Sequence, residues 1–137
     1  MAGGTILLER RPVRAEDTIC ALSSGRGQAG VAVIRLSGPA AHSIVEKLIG
    51  RLPKAREATL VALRHPKSGE VLDRALVLVF SAPRSFTGED VVELHVHGGL
   101  AVIDAVLEGV LATGQCRAAE PGEFTYRAFR NGKLDLT

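Results

Sequence analysis

The 137-residue sequence contains no Trp, one Tyr and four Phe. A core without large rings has to be filled by Val, Leu, Ile and Ala, which suits layered strands and helices. Cysteine is almost as scarce, with Cys20 and Cys116 alone, each inside an apolar stretch. Two isolated thiols exclude a disulfide framework and match no zinc or redox spacing, so the expected setting is a reducing cytoplasm. No apolar run approaches the ~20 residues of a membrane-spanning helix, so no membrane partner is expected. The first residues lack the order of a secretory signal. An excess of one charge is missing too. Arg10, Arg11 and Arg14 against Glu9 account for the whole formal charge of +2, leaving a neutral body behind a short basic arm. That is weak support for nucleic-acid binding by the body itself.

What is present reads as alternating strands and helices. Asp17 to Leu22 predicts a first strand, Ser23 to Ala29 a glycine-rich loop, and Val31 to Leu36 a second, nearly continuous apolar strand. Gly38-Pro39 opens a helix whose apolar stripe is Ile44, Leu48 and Ile49, closed by Gly50. Thr59 to Arg64 and Val71 to Phe80 flank Pro66-Lys67-Ser68-Gly69 and predict a hairpin. Val91 to His97 alternates strictly, and a helix follows through Val102, Val106, Val110 and Leu111. Arg117 to Pro121 has room for one more short strand, and Glu123 to Arg130 predicts a last helix. The expected fold is α/β (α+β): a mixed β-sheet of about five strands with two to three packed helices.

Three motifs bear on chemistry. Gly25-Arg26-Gly27-Gln28-Ala29-Gly30 has the letters of a dinucleotide fingerprint, but a strand follows where that motif needs a helix N-terminus. It reads as a turn between strands, with Arg26 free to face a ligand. Arg35, in an apolar strand, either meets an anion at the strand's mouth or pairs with a buried carboxylate. On Val91–His97, alternation puts Glu93, His95 and His97 on one face and Val92, Leu94 and Val96 on the other. A Glu/His/His face suits a polar small-molecule pocket better than a metal, because no third certain ligand accompanies the two imidazoles. Glu89-Asp90 is either a carboxylate pair for acid–base work or a solvated strand start.

Together these segments resemble a known family. Gly27 to Gly38, Ser85 to Gly99, Pro121-Gly122-Glu123-Phe124, Arg127-Ala128-Phe129, Asn131-Gly132-Lys133 and Leu134-Asp135-Leu136 are similar, in order and spacing, to the amino-terminal part of the MnmE (TrmE) family of bacterial tRNA-modification GTPases. The resemblance implies a fold similar to the folate-binding domain of aminomethyltransferases. It implies a tetrahydrofolate derivative, 5-formyl- or 5,10-methylene-tetrahydrofolate, as ligand, with Arg35, Glu93 and Lys133 as its contacts. It also implies a homodimer formed through this domain, an FAD-dependent partner of the MnmG (GidA) type, and tRNA met through the full complex. The implied reaction places an aminomethyl-type group at C5 of a wobble uridine, with GTP hydrolysis driving conformational change. No P-loop is legible in the chain, so GTP, Mg2+ and K+ belong to a G domain outside it, and this chain is not expected to hydrolyse GTP. The same resemblance divides the chain into an arm (1–16), a folate-binding and dimerisation domain (17–130) and the start of a central helical domain (131–137). The other readings are the folate domain of an aminomethyltransferase-like enzyme and a module serving assembly alone.

Overall fold

The computed structural model describes residues 14–24 and 30–134. The glycine-rich loop with Arg26, most of the basic arm, and Asp135-Leu136-Thr137 lie outside the described residues. In chain order the elements are β1 (Ile19–Leu22), β2 (Val31–Ser37), α1 (Ala41–Ile49), β3 (Thr59–Arg64), β4 (Val71–Phe80), β5 (Val91–His97), α2 (Leu100–Leu111), β6 (Arg117–Ala118) and α3 (Glu123–Arg130).

The strands form one mixed sheet in the order β3-β4-β5-β2-β1-β6. Six strands are observed where about five were expected. The sixth is the two-residue β6, which runs parallel to β1 with Cys20 opposite Ala118. It falls within Arg117 to Pro121, where the sequence has room for one more short strand, and its partner lies about a hundred residues away.

The alternation of β2, β4 and β5 decides which face is buried. Ala32, Ile34 and Leu36, with Ala75, Val77 and Val79 and with Val92, Leu94 and Val96, all point to one side and are essentially inaccessible. Helices α1 and α2 cover that side with Ile44, Val45 and Leu48 and with Ile103, Val106 and Val110. Each such side chain contributes about 1.5–3 kcal/mol on leaving water, so this layer holds the fold. Helix α1 stops at Gly50, whose left-handed backbone (φ 84°) lets its N–H return to the Glu46 carbonyl at 2.8 Å. No helix among the described residues is long and apolar enough to cross a membrane.

The opposite sheet face is open. The β2–β5 register places Arg35 opposite Glu93, and the β4–β5 register places Leu78 opposite Glu93 and Leu76 opposite His95. Helix α3 lies at one edge of this face but buries little: only Arg127 and Ala128 along its length are enclosed. It is therefore held by polar side chains rather than by an apolar stripe.

Candidate functional site

The site is built on the open face from the Arg35–Glu93 cross-strand pair. Arg35 donates from Nη2 at 3.0 Å and from Nε at 3.3 Å, both to Oε2 of Glu93. The other oxygen, Oε1, lies 3.1 Å from Nε2 of His95, two residues along the same strand face. Facing a carboxylate, that ring nitrogen carries the hydrogen and donates. Each carboxylate oxygen accepts about two hydrogen bonds. Oε2 is therefore filled, and Oε1 keeps one acceptor place. The Arg35 guanidinium also sits 5.1 Å from the Phe86 ring centre and 5.9 Å from that of Phe124, so two rings from separate segments hold it over Glu93.

Glu93 and Val91 line one side of a cavity of about 660 Å3. That is within the ~300–1,000 Å3 of small-molecule pockets. Phe80, at the end of β4, and Ser85 and Phe86, in the loop after it, add the flat and polar walls. Three cations complete the lining: Arg56, Arg84 and Lys133. Of the three residues expected as ligand contacts, Glu93 and Lys133 face the cavity. Arg35 is not among its lining residues; its guanidinium is bonded to the Glu93 carboxylate. The pairing reading of Arg35 is thus realised, with Glu93 as the carboxylate.

The remaining polar motifs resolve differently. His97 turns to Asp73, with its Nδ1 2.8 Å from Oδ1 and its backbone N–H 2.9 Å from Oδ2. Among the described residues no group of three or more His, Cys, Asp and Glu is placed to hold a metal ion. Glu89 and Asp90 do not act as a pair, because successive residues entering a strand point to opposite sides. Asp90 accepts the Ala82 N–H at 2.8 Å and lies 3.7 Å from His42. Glu89 turns the other way, accepting from the Ser37 hydroxyl at 2.7 Å and from Arg127 at 3.1 and 3.3 Å. With the Ser37 hydrogen spent on Glu89, Thr87 is the donor in the 2.7 Å bond between the two hydroxyls.

Arg127 is the hub that local reading missed. Its side chain is 1 % exposed, and it bridges Glu89 to Glu123, the latter at 3.0 Å. Glu123 in turn takes two bonds from Arg117, at 2.9 and 2.7 Å, and Arg117 reaches Asp17 at 3.0 Å. The Arg117 guanidinium, with the Glu120 N–H and Arg127 adding to it against the cost of burial, holds the Glu123 carboxyl down at about 2. A sequence signal existed: Glu123 and Arg127 are four apart on one helix, the favourable order for an ion pair. The network pins α3, and the turn after it carries Lys133. That turn is fastened twice more, by Asn131 Nδ2 to the Thr87 carbonyl at 2.8 Å and by the Lys133 N–H to the Ala128 carbonyl at 2.8 Å. Gly88 lies under it: a Cβ there would meet the Asn131 Cβ at 2.9 Å.

Comparison with known proteins adds to this geometry. Residues 18–133 match the family described as GTP-binding protein TrmE N-terminus. The chain belongs to that family. The TrmE N-terminal match covers β1 through Lys133, and so includes every pocket residue named above. A tRNA modification GTPase MnmE from Rhodopseudomonas palustris is 56% identical over 122 residues, covering 89% of this chain and 27% of the relative. The human mitochondrial protein named 5-taurinomethyluridine-[tRNA] synthase subunit GTPB3 is 58% identical over 122 residues, covering 88% of the chain and 25% of the relative. The mitochondrial tRNA modification GTPase mss1 of Schizosaccharomyces pombe is 51% identical over 130 residues, covering 93% and 26%. This TrmE N-terminal chain therefore spans about a quarter of the length of these curated relatives.

Proposed function

We propose that this domain binds a reduced folate in the Glu93 pocket and dimerises, as the front module of a tRNA-modification GTPase. The observation that carries the reading is the state of Glu93: a carboxylate fixed by Arg35 and His95, facing a cavity with Phe80 and Phe86 in its walls. A pterin is a flat ring that offers an N–H and an amino group on one edge. Its faces suit the two phenyl rings, and its donor edge suits a carboxylate. Oε1 has a place for one of those donors, and the second competes with Arg35 for Oε2. Lys133, at the cavity's edge, is a cation suited to a carboxylate of the ligand's glutamate tail. The one-carbon group itself, formyl or methylene, would be supplied by the bound tetrahydrofolate; the residues here bind and orient.

The curated relatives carry tRNA modification in their names. On that likeness we assign the parent protein GTP-dependent modification of C5 of the wobble uridine in the cytoplasm, with an FAD-dependent partner of the MnmG type. GTP, Mg2+ and K+ would be held elsewhere in that protein. Self-association has support of its own. Leu60 and Leu76 face each other across β3 and β4 on the open sheet face and are 58% and 43% exposed, an apolar strip suited to a second copy.

Calorimetric titration of the 137-residue chain with 5-formyltetrahydrofolate tests the ligand. Saturable binding is expected, weakened at least about tenfold in Glu93→Ala, since a buried donor would lose its acceptor. No heat with the unaltered chain would reject folate binding and leave assembly as the role. Sedimentation over a range of concentrations tests self-association, and a strict monomer would reject it.

A further inference from the structure

Two of the three cations at the pocket, Arg56 and Arg84, are not used by the folate reading above. They come from separate segments. Arg56 precedes β3 and is anchored by its N–H to the Val79 carbonyl at 2.8 Å, with its guanidinium 5.7 Å from the Phe80 ring centre. Arg84 belongs to the loop after β4, where its N–H meets the Ser81 carbonyl at 2.9 Å. Both are solvent-exposed residues, so they stand at the mouth rather than on the floor. Among the described residues neither guanidinium has a carboxylate partner. The single acid of the lining, Glu93, is already balanced by Arg35. The mouth therefore carries uncompensated positive charge, and Arg56 keeps its place there in a left-handed backbone conformation (φ 67°) that a non-glycine residue adopts only at a cost.

We infer that this mouth is a subsite for a polyanionic tail, and that the ligand class preferred by the pocket is a folate extended by several γ-linked glutamates. The inference rests on the folate reading above. A ligand whose ring is seated against Glu93 shares the cavity with Lys133, Arg56 and Arg84, so an anionic tail would meet these cations on its way to solvent. Each added glutamate brings one carboxylate into reach of these guanidinium forks. Exposed pairs of this kind are individually weak and screened by salt, so the gain is moderate and falls with ionic strength.

The test compares 5-formyltetrahydrofolate with one glutamate and with five, titrated by calorimetry into the unaltered chain and into Arg56→Asn/Arg84→Ala. Asparagine is chosen because it tolerates a left-handed backbone while removing the charge. The readout is the ratio of the two affinities within each protein. In the unaltered chain the five-glutamate ligand is expected to bind about three- to tenfold more tightly. That advantage should shrink at high salt and fall to near one in the double variant. Tight monoglutamate binding with no advantage for the longer tail overturns this inference and leaves the folate reading standing. No binding of either form removes both. Equal binding of the two folates, with a tRNA held by the unaltered chain and lost by the double variant, would assign the cations to phosphate and overturn the inference.

Discussion

Arg35 and Glu93 lie directly opposite each other in the β2–β5 register, and Arg35 spends both its Nε and its Nη2 bonds on one oxygen of Glu93. The guanidinium thus fills Oε2 and leaves one acceptor place on Oε1, beside the bond from His95.

That arrangement makes Arg35 a positioning residue for Glu93. Arg35→Lys keeps the charge but lacks the fork, so folate affinity should fall about tenfold with a small change in stability. Arg35→Ala leaves Glu93 half-buried without its cation and should cost about 1–3 kcal/mol in urea unfolding as well. Unchanged affinity in Arg35→Lys would show that the pair serves folding alone.

The α3 clamp should make stability depend on acid. Glu123 is held at about 2 in the folded chain against an ordinary 4.5, so its contribution is complete above about pH 4.5 and drains away as pH falls toward 2. Glu123→Gln should lose on the order of 2 kcal/mol at pH 7, and its deficit should shrink across that window. Urea midpoints for both proteins at intervals from pH 7 to pH 2.5 measure this. A deficit that does not change with pH would rule the charge out as the cause.

Two glycines should differ in what they tolerate. At Gly38 (φ 138°) a Cβ would lie 2.6 Å from the Thr18 Cα, which is backbone and cannot step aside. Gly38→Ala should cost about 3 kcal/mol or more. At Gly88 (φ 84°) the obstruction is the Asn131 side chain, so Gly88→Ala should cost about 1–2 kcal/mol while displacing the turn that carries Lys133. Melting temperatures rank the two, and folate titration of Gly88→Ala, expected to show weakened binding, reads the displacement.

The thiols should separate by reactivity. Cys116 and Cys20 lie 3.9 Å apart, Cys116 partly exposed and Cys20 buried. The hydrogen bond it shares with Cys20 holds the Cys116 thiol down against its own burial, whereas that same bond and burial push Cys20 well up. Iodoacetamide followed by mass spectrometry should label Cys116 first and leave Cys20 largely unmodified until the chain unfolds. Equal rates at the two cysteines in the folded chain would contradict this.

Much of the architecture was legible in the residues themselves. The strict alternation of Val91–His97 assigned Glu93 to the polar face, Gly50 ended α1, and the turn residues between Arg64 and Val71 set the hairpin, because each depends only on neighbours a few positions away. The family motifs marked Glu93 and Lys133, and both reached the pocket. Only the tertiary structure decided what those residues touch. Sheet register brought Arg35 to Glu93 from 58 positions away and made it that residue's support. The burial of Arg127 turned Glu89 from a possible acid–base partner of Asp90 into an anchor for α3. Arg56 and Arg84, unremarkable in their own segments, met at the mouth of one cavity. Periodicity constrains the face on which a side chain lies; which charges share a site depends on how distant segments pack, and local pattern does not encode that.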